Sequence, residues 1–145
     1  ADEDCDGSNN EDGAISCKQY YADNDGDTYG AGSPKCKCAA DATYKVQIAG
    51  DCYDSNANAH PGQGTWFVSN RGDGSYDYDC DGAETRKWTQ EGGHCDTTLG
   101  FCAATDVGFT GSVPGCGTAA SWLTGCSSGF FSCDASTTNR QQECH

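Results

Sequence analysis

The chain contains no methionine, so Ala1 is not an initiator, and a leader, most simply a cleaved secretory signal, is expected ahead of it in the precursor. No apolar run approaches the roughly 20 residues that cross a bilayer as a helix, which excludes membrane insertion of that kind. Apolar residues keep no helical period beyond about two turns, so little helix is expected. Only 8 residues are Lys or Arg, dispersed along the chain apart from the adjacent Arg86 and Lys87, against 22 Asp and Glu for a net charge of −14. A polyanion such as nucleic acid is therefore no partner, since its binding depends on clustered cations that release counterions. No N-x-[ST] sequon occurs, and Ser136, Thr137 and Thr138 read as a solvated loop. G-x-S-x-G, H-E-x-x-H and Cys/His nucleophile arrangements are also missing, and the reading is a non-enzyme.

Cysteine, glycine and acid fill the space these absences leave. With 35% hydrophobic residues and 20 glycines in 145 positions, a large apolar core is not available. Twelve cysteines point instead to a disulfide scaffold in an oxidising compartment, hence to a secreted or cell-surface protein. Cys5, Cys17, Cys36, Cys38, Cys52 and Cys80 lie in one part of the chain, and Cys95, Cys102, Cys116, Cys126, Cys133 and Cys144 in the other. This division suggests two separately closed sets; six cysteines allow fifteen pairings, so the connectivity stays open, except that Cys36 and Cys38 are too close to bridge each other comfortably. Charge divides at the same place, with 16 acids and 5 bases over residues 1–82 against 6 and 3 over 83–145. "YKVQI" (Tyr44 to Ile48), "TWFVS" (Thr65 to Ser69) and, more weakly, "ISCKQYY" (Ile15 to Tyr21) read as short strands bounded by turn residues. The C-terminal part reads as a turn-rich β module in short pieces around Phe109, Val113, Trp122, Leu123, Phe130 and Phe131. "TRKW", ending at Trp88, reads as the joint between the two parts.

The acids are not spread evenly. "DEDCDG" at Asp2 to Gly7 recurs as "DYDCDG" at Asp77 to Gly82, with "DNDGD" and "DCYDSNAN" between them. Aspartates at alternate positions followed by glycine open a calcium loop: carboxylates at positions 1, 3 and 5 converge on one ion, and the glycine permits the sharp turn. Asp2, Asp4, Asp6 and Asp77, Asp79, Asp81 fit this opening; Asp23, Asp25, Asp27 fit it with Thr28 in place of glycine and the Tyr29 carbonyl next in line. Asp54, Asn56 and Asn58 form a weaker version, with Asp51 upstream and His60 at the carbonyl position. Like charges this close repel unless a cation sits among them, and a hard dication needs six to eight oxygens at short range. The twelfth position, a bidentate Glu in an EF-hand, is Gly13, Pro34, Thr65 or Trp88, so these are not EF-hands, and each ion has to draw ligands from more than one cluster.

The order "CKQYYADNDGDTYG", "GDCYDSNANAHPG", "DYDCDG" resembles the MopE-type metal-binding repeat of secreted bacterial proteins over residues 2–82. The resemblance implies that Asp23, Asp25, Asp27, Asp51, Asp54, Asp77, Asp79 and Asp81 are metal ligands. Thr28 stands where the repeat has glycine and Tyr53 where it has aspartate, which implies weaker binding at the first two clusters. In tandem arrays the D-x-D-C-D-G element closes a unit, whereas here Asp2 to Gly7 opens the chain. Either this cluster shares ions with the later ones, or it completes a site on a neighbouring molecule and builds a head-to-tail homopolymer.

The expected fold is small, irregular and mostly β and loop, disulfide-rich and calcium-stabilised, with an acidic calcium-binding repeat unit over residues 1–82 and a cysteine-rich β module over 83–145. The expected function is that of an extracellular calcium-binding structural or adhesive protein carrying two or more Ca2+ ions, as a subunit of a calcium-tied filament or matrix. The alternatives are a calcium-dependent carbohydrate-binding module, its surface glycan partners stacking on Trp66, Trp88, Trp122 or tyrosines, and a copper- or zinc-binding surface protein using His94 with Cys95 or His145 with Cys144.

Overall fold

A computed structural model describes residues 17–98, 101–130 and 132–145; Asp2, Asp4, Asp6 and Cys5 lie outside the described residues. The fold is small, without helix among the described residues, and built from short sheets, loops and disulfides. The described chain divides into two compact units, residues 17–64 with 71–83, and residues 65–70 with 84–145.

The first unit is a three-stranded antiparallel sheet with acidic loops at one end. Strand β1 (Lys18–Ala22) pairs on one edge with β2 (Ala31–Lys37) and on the other with β3 (Tyr44–Val46). Pro34 lies in β2, an outer strand, where a residue without a backbone N–H leaves no central ladder bond unmade. The hairpin from β1 to β2 turns through residues 23–29, so the first aspartate cluster is the hairpin loop itself. Gly30 then bridges in parallel to Ala49: its N–H donates to the Ile48 carbonyl at 2.7 Å, and its carbonyl accepts from the N–H groups of Gly50 and Asp51 at 3.1 and 3.2 Å. That bridge delivers Asp51 to the hairpin loop. It requires a glycine, because a Cβ at buried Gly30 would fall into the Tyr21 side chain and against Val46. The Cys17–Cys36 disulfide ties β1 to β2, Cys52–Cys80 ties the second acidic loop to the third, and Cys38 is also disulfide-bonded. Apolar burial is slight, with Tyr20, Ala59 and Tyr78 enclosed alongside Asp23 and Asp51.

The second unit consists of two hairpins, β4 (His94–Thr98) with β5 (Phe101–Asp106) and β6 (Ala119–Ser128) with β7 (Cys133–Gln141). Cys95–Cys126 and Cys102–Cys133 join one hairpin to the other, and Cys116–Cys144 secures the end of the chain. Phe109, Trp122, Leu123 and Cys144 are buried, with the Phe109 and Trp122 rings edge to face at 5.0 Å. The Arg140 guanidinium packs on two indoles, 4.4 Å from the centroid of Trp88 and 4.1 Å from that of Trp122.

Three readings of the sequence need correction, the first being the loop at Ser136, Thr137 and Thr138, which lie in β7 paired with β6. Thr65 to Ser69 is not a strand: it makes a single bridge, Phe67 to Cys144, and Trp66 packs edge-on against His145. Its β propensity favours an extended chain, but among the described residues no strand pairs along it to make a ladder. The C-terminal part is less fragmented than its composition suggested, since β6 and β7 run to 10 and 9 residues. Of Tyr44 to Ile48, Tyr44–Val46 form β3; of Ile15 to Tyr21, Lys18 to Tyr21 lie in β1, and Ile15 and Ser16 lie outside the described residues.

Candidate metal centre

The hairpin loop is closed by its own carboxylates. Asp23 Oδ1 accepts from the Gly26 N–H at 2.6 Å, Asp25 Oδ1 from Asp27 at 3.2 Å and Asp27 Oδ1 from Tyr29 at 2.7 Å. Asp51 repeats the arrangement, its Oδ1 accepting from the Tyr53 N–H at 2.7 Å. Each bond holds one carboxylate oxygen against the backbone and fixes the direction of the other. The second oxygens of Asp25, Asp27 and Asp51 are buried and accept no hydrogen bond. An anionic oxygen left so is costly unless a cation or donor meets it.

The carboxylates fall into groups whose oxygens lie within 4.8 Å of one another: Asp23, Asp25 and Asp27; Asp25, Asp51 and Asp54; and Asp77, Asp79 and Asp81. The first two share Asp25 and are brought together by the Gly30–Ala49 bridge. A further clamp comes from Asn24, whose backbone N–H donates to Asp54 Oδ1 at 2.6 Å and whose side-chain amide donates to Asp54 Oδ2. In the third group, Asp77 accepts from the N–H groups of Asp81 and Gly82, both at 3.2 Å, around Cys80, whose φ is +57°.

Electrostatics set these acids apart from others in the same unit. Burial, reinforced by the charges of Asp25, Asp27 and Asp54, pushes Asp51 up to about 6 despite its hydrogen bond from Tyr53. Asp27 is raised for the same leading reason, with Asp25 and Asp23 adding to it. Exposed Asp41 shows the opposite behaviour: Lys37, at 2.6 Å, and the N–H groups of Tyr44 and Thr43 hold it down to about 2. Arg71 pairs with Asp73 at 3.0 Å and donates to the Asp77 carbonyl, so its charge is spent away from the shared groups.

Other residues singled out by the sequence have different partners. Asn56 Oδ1 accepts from the N–H of Asn58, at 3.1 Å, and from its amide, while Asn56 Nδ2 donates to the Arg71 carbonyl, so both side chains knit the loop. The Tyr29 ring stacks on His60 at 5.1 Å. Cys95 and Cys144 are both in disulfides, which removes the thiolates that a soft-metal site with His94 or His145 would use. Trp122 is buried and Trp66 and Trp88 half-buried in packing of the second unit. Asn24 was not apparent from the sequence; the signal for it was its place between Asp23 and Asp25 in a loop that had to find a partner.

All-oxygen donors, several carboxylates and no sulfur or imidazole in the groups suit a hard divalent cation. The buried, unpartnered oxygens of Asp25, Asp27 and Asp51 are what such an ion would meet. Compared with models of known protein families, with curated proteins and with solved structures, the chain matches none.

Proposed function

We propose that this is an extracellular calcium-binding protein with a structural or adhesive role, in which calcium holds the acidic unit together. One observation carries the reading: Asp25, Asp27 and Asp51, from two separate loops, belong to adjoining oxygen-only groups, and each has a buried carboxylate oxygen without a hydrogen bond. Calcium suits such groups because it takes six to eight oxygens in flexible geometry, whereas magnesium demands a near-ideal octahedron and keeps its waters. Every described cysteine is disulfide-bonded, which fits an oxidising extracellular environment. Among the described residues no helix is long and apolar enough to cross a membrane.

Calorimetric titration of the chelated protein with calcium tests the reading directly. Binding should be evident, and Asp51→Asn should weaken it at least tenfold, because a neutral amide replaces a charged ligand. Absence of any calcium-dependent heat would refute it. The filament role rests on the recurrence of Asp2 to Gly7 as Asp77 to Gly82. Light scattering at high protein concentration should show assembly that needs calcium and disappears when Asp2, Asp4 and Asp6 become Asn; a strictly monomeric species in saturating calcium would remove the filament and leave the binding protein.

A further inference from the structure

The sharing of Asp25 bears on how many ions this centre takes. Oxygens that bind one calcium at 2.3–2.6 Å must lie within about twice that distance of one another. Asp23, Asp25 and Asp27 satisfy that limit at 4.8 Å, and so do Asp25, Asp51 and Asp54; the five carboxylates form two overlapping groups, not one group of five. Asp51, a member of the second group, is 8% exposed, and its Oδ2 is buried without a hydrogen-bond partner. Asp25 and Asp27 each bring a buried Oδ2 of the same kind.

We propose that Asp25 bridges two divalent cations, one held with Asp23 and Asp27 and the other with Asp51 and Asp54. The proposal rests on the calcium reading above and specifies what that site contains. A single ion would leave part of this carboxylate set outside its reach, still crowded and poorly solvated. Two ions use all five side chains, and the shared anion between them offsets their mutual repulsion. Asp54, with both oxygens already accepting from Asn24, retains lone pairs for an ion because a carboxylate has about four acceptor positions. The bridge also makes the residues unequal. Asp27 and Asp51 each serve one ion, and Asp25 serves both.

That inequality is measurable on the intact chain. Native mass spectrometry in calcium should show Asp25→Asn losing two ions relative to wild type, and Asp27→Asn and Asp51→Asn losing one each. Manganese, another hard divalent cation with oxygen preference, supplies a second readout that needs no variant. Carboxylate-bridged metal pairs lie roughly 3.5–4 Å apart, so the electron paramagnetic resonance spectrum of manganese-loaded wild type should show spin-coupled pairs. Loss of only one ion in a folded Asp25→Asn protein, or a wild-type spectrum of isolated manganese ions alone, would overturn the bridge while leaving calcium binding intact. A wild-type protein that binds no calcium would overturn the calcium reading, and the bridge with it.

Discussion

The two units solve the same problem in different ways. Neither contains much apolar material, yet the second encloses Phe109, Trp122 and Leu123 and ties two hairpins together with Cys95–Cys126 and Cys102–Cys133. The first encloses little beyond Tyr20, Ala59 and Tyr78, and it buries Asp23 and Asp51 beside them. Burying aromatic rings is favourable in itself, whereas burying carboxylates is unfavourable until something compensates them. The second unit is therefore closed by its own aromatic core, and the first, on the reading proposed above, is completed by a cation. Disulfides are common to both, so they do not account for the difference.

The comparison can be broken first at the aromatic core. Trp122→Ala should cost up to about 5 kcal/mol, the upper range for removing a large aromatic side chain, because Trp122 packs against Phe109, Trp88 and Arg140. Hydrogen exchange should accelerate across β6 and β7, while the calcium titration should be unchanged. A loss of calcium affinity in this variant would show that the two units do not hold their stability separately.

Chelation is the converse experiment. At free calcium about 1,000-fold above the dissociation constant, linkage gives ~4 kcal/mol of stabilisation, all of which chelator removes. Limited proteolysis should then open sites within residues 17–64 and 71–83 first. Equal protection with and without chelator would contradict the proposal that the ion completes this unit.

The clustering of aspartates at alternate positions was legible in the sequence because it is local: Asp23, Asp25 and Asp27 lie on one hairpin turn and need no distant partner to be brought together. The β-and-loop, disulfide-rich character was legible for a similar reason, since composition alone limits the core. What joins Asp25 to Asp51 was not legible, because it depends on the Gly30–Ala49 bridge, a contact between backbones that leaves no mark on side-chain pattern. Disulfide partners such as Cys102 and Cys133 were equally hidden, since any of the six cysteines could have served. Strand β7, "CDASTTNRQ", is mostly exposed and has no alternating apolar face, so its length comes from its partner β6 and not from its own periodicity. Residues 65–70 misled for the opposite reason. Their aromatic and β-branched content looked like a strand, and they are used for packing within the second unit.

Acidity sharpens the comparison further. Asp51, at about 6 in the ion-free protein and 3.8 ordinarily, binds its proton more tightly folded than unfolded. Its contribution is therefore fully present below the unfolded value and is lost as pH rises through about 6. Asp27, raised in the same direction, adds to it. Chelated protein should thus melt at a lower temperature at pH 7 than near pH 4. In saturating calcium the order should invert, since ion and proton compete for the same oxygens. Parallel pH profiles with and without calcium would sink the link between these carboxylates and the metal.

The smallest effect concerns Thr28, which takes φ +81° in the hairpin loop between Asp27 and Tyr29. A β-branched residue is strained there, by about 1 kcal/mol or more, and glycine is not. Glycine also loses more freedom on folding, so Thr28→Gly should recover only part of that strain. The residue belongs to the acidic unit, where backbone shape controls how the carboxylates converge, so relief of strain should appear in ion binding as well as in melting. Since about 1 kcal/mol corresponds to roughly fivefold in affinity, the partial recovery should tighten calcium by less than about fivefold, measurable by calorimetry. Tighter binding with unchanged exchange in β6 and β7 would mean that loop strain, which a disulfide-braced sheet could absorb, is felt directly in a unit held by an ion. Weaker binding would mean that Thr28 supports the loop through its side chain, and that its departure from glycine is an adaptation of this chain.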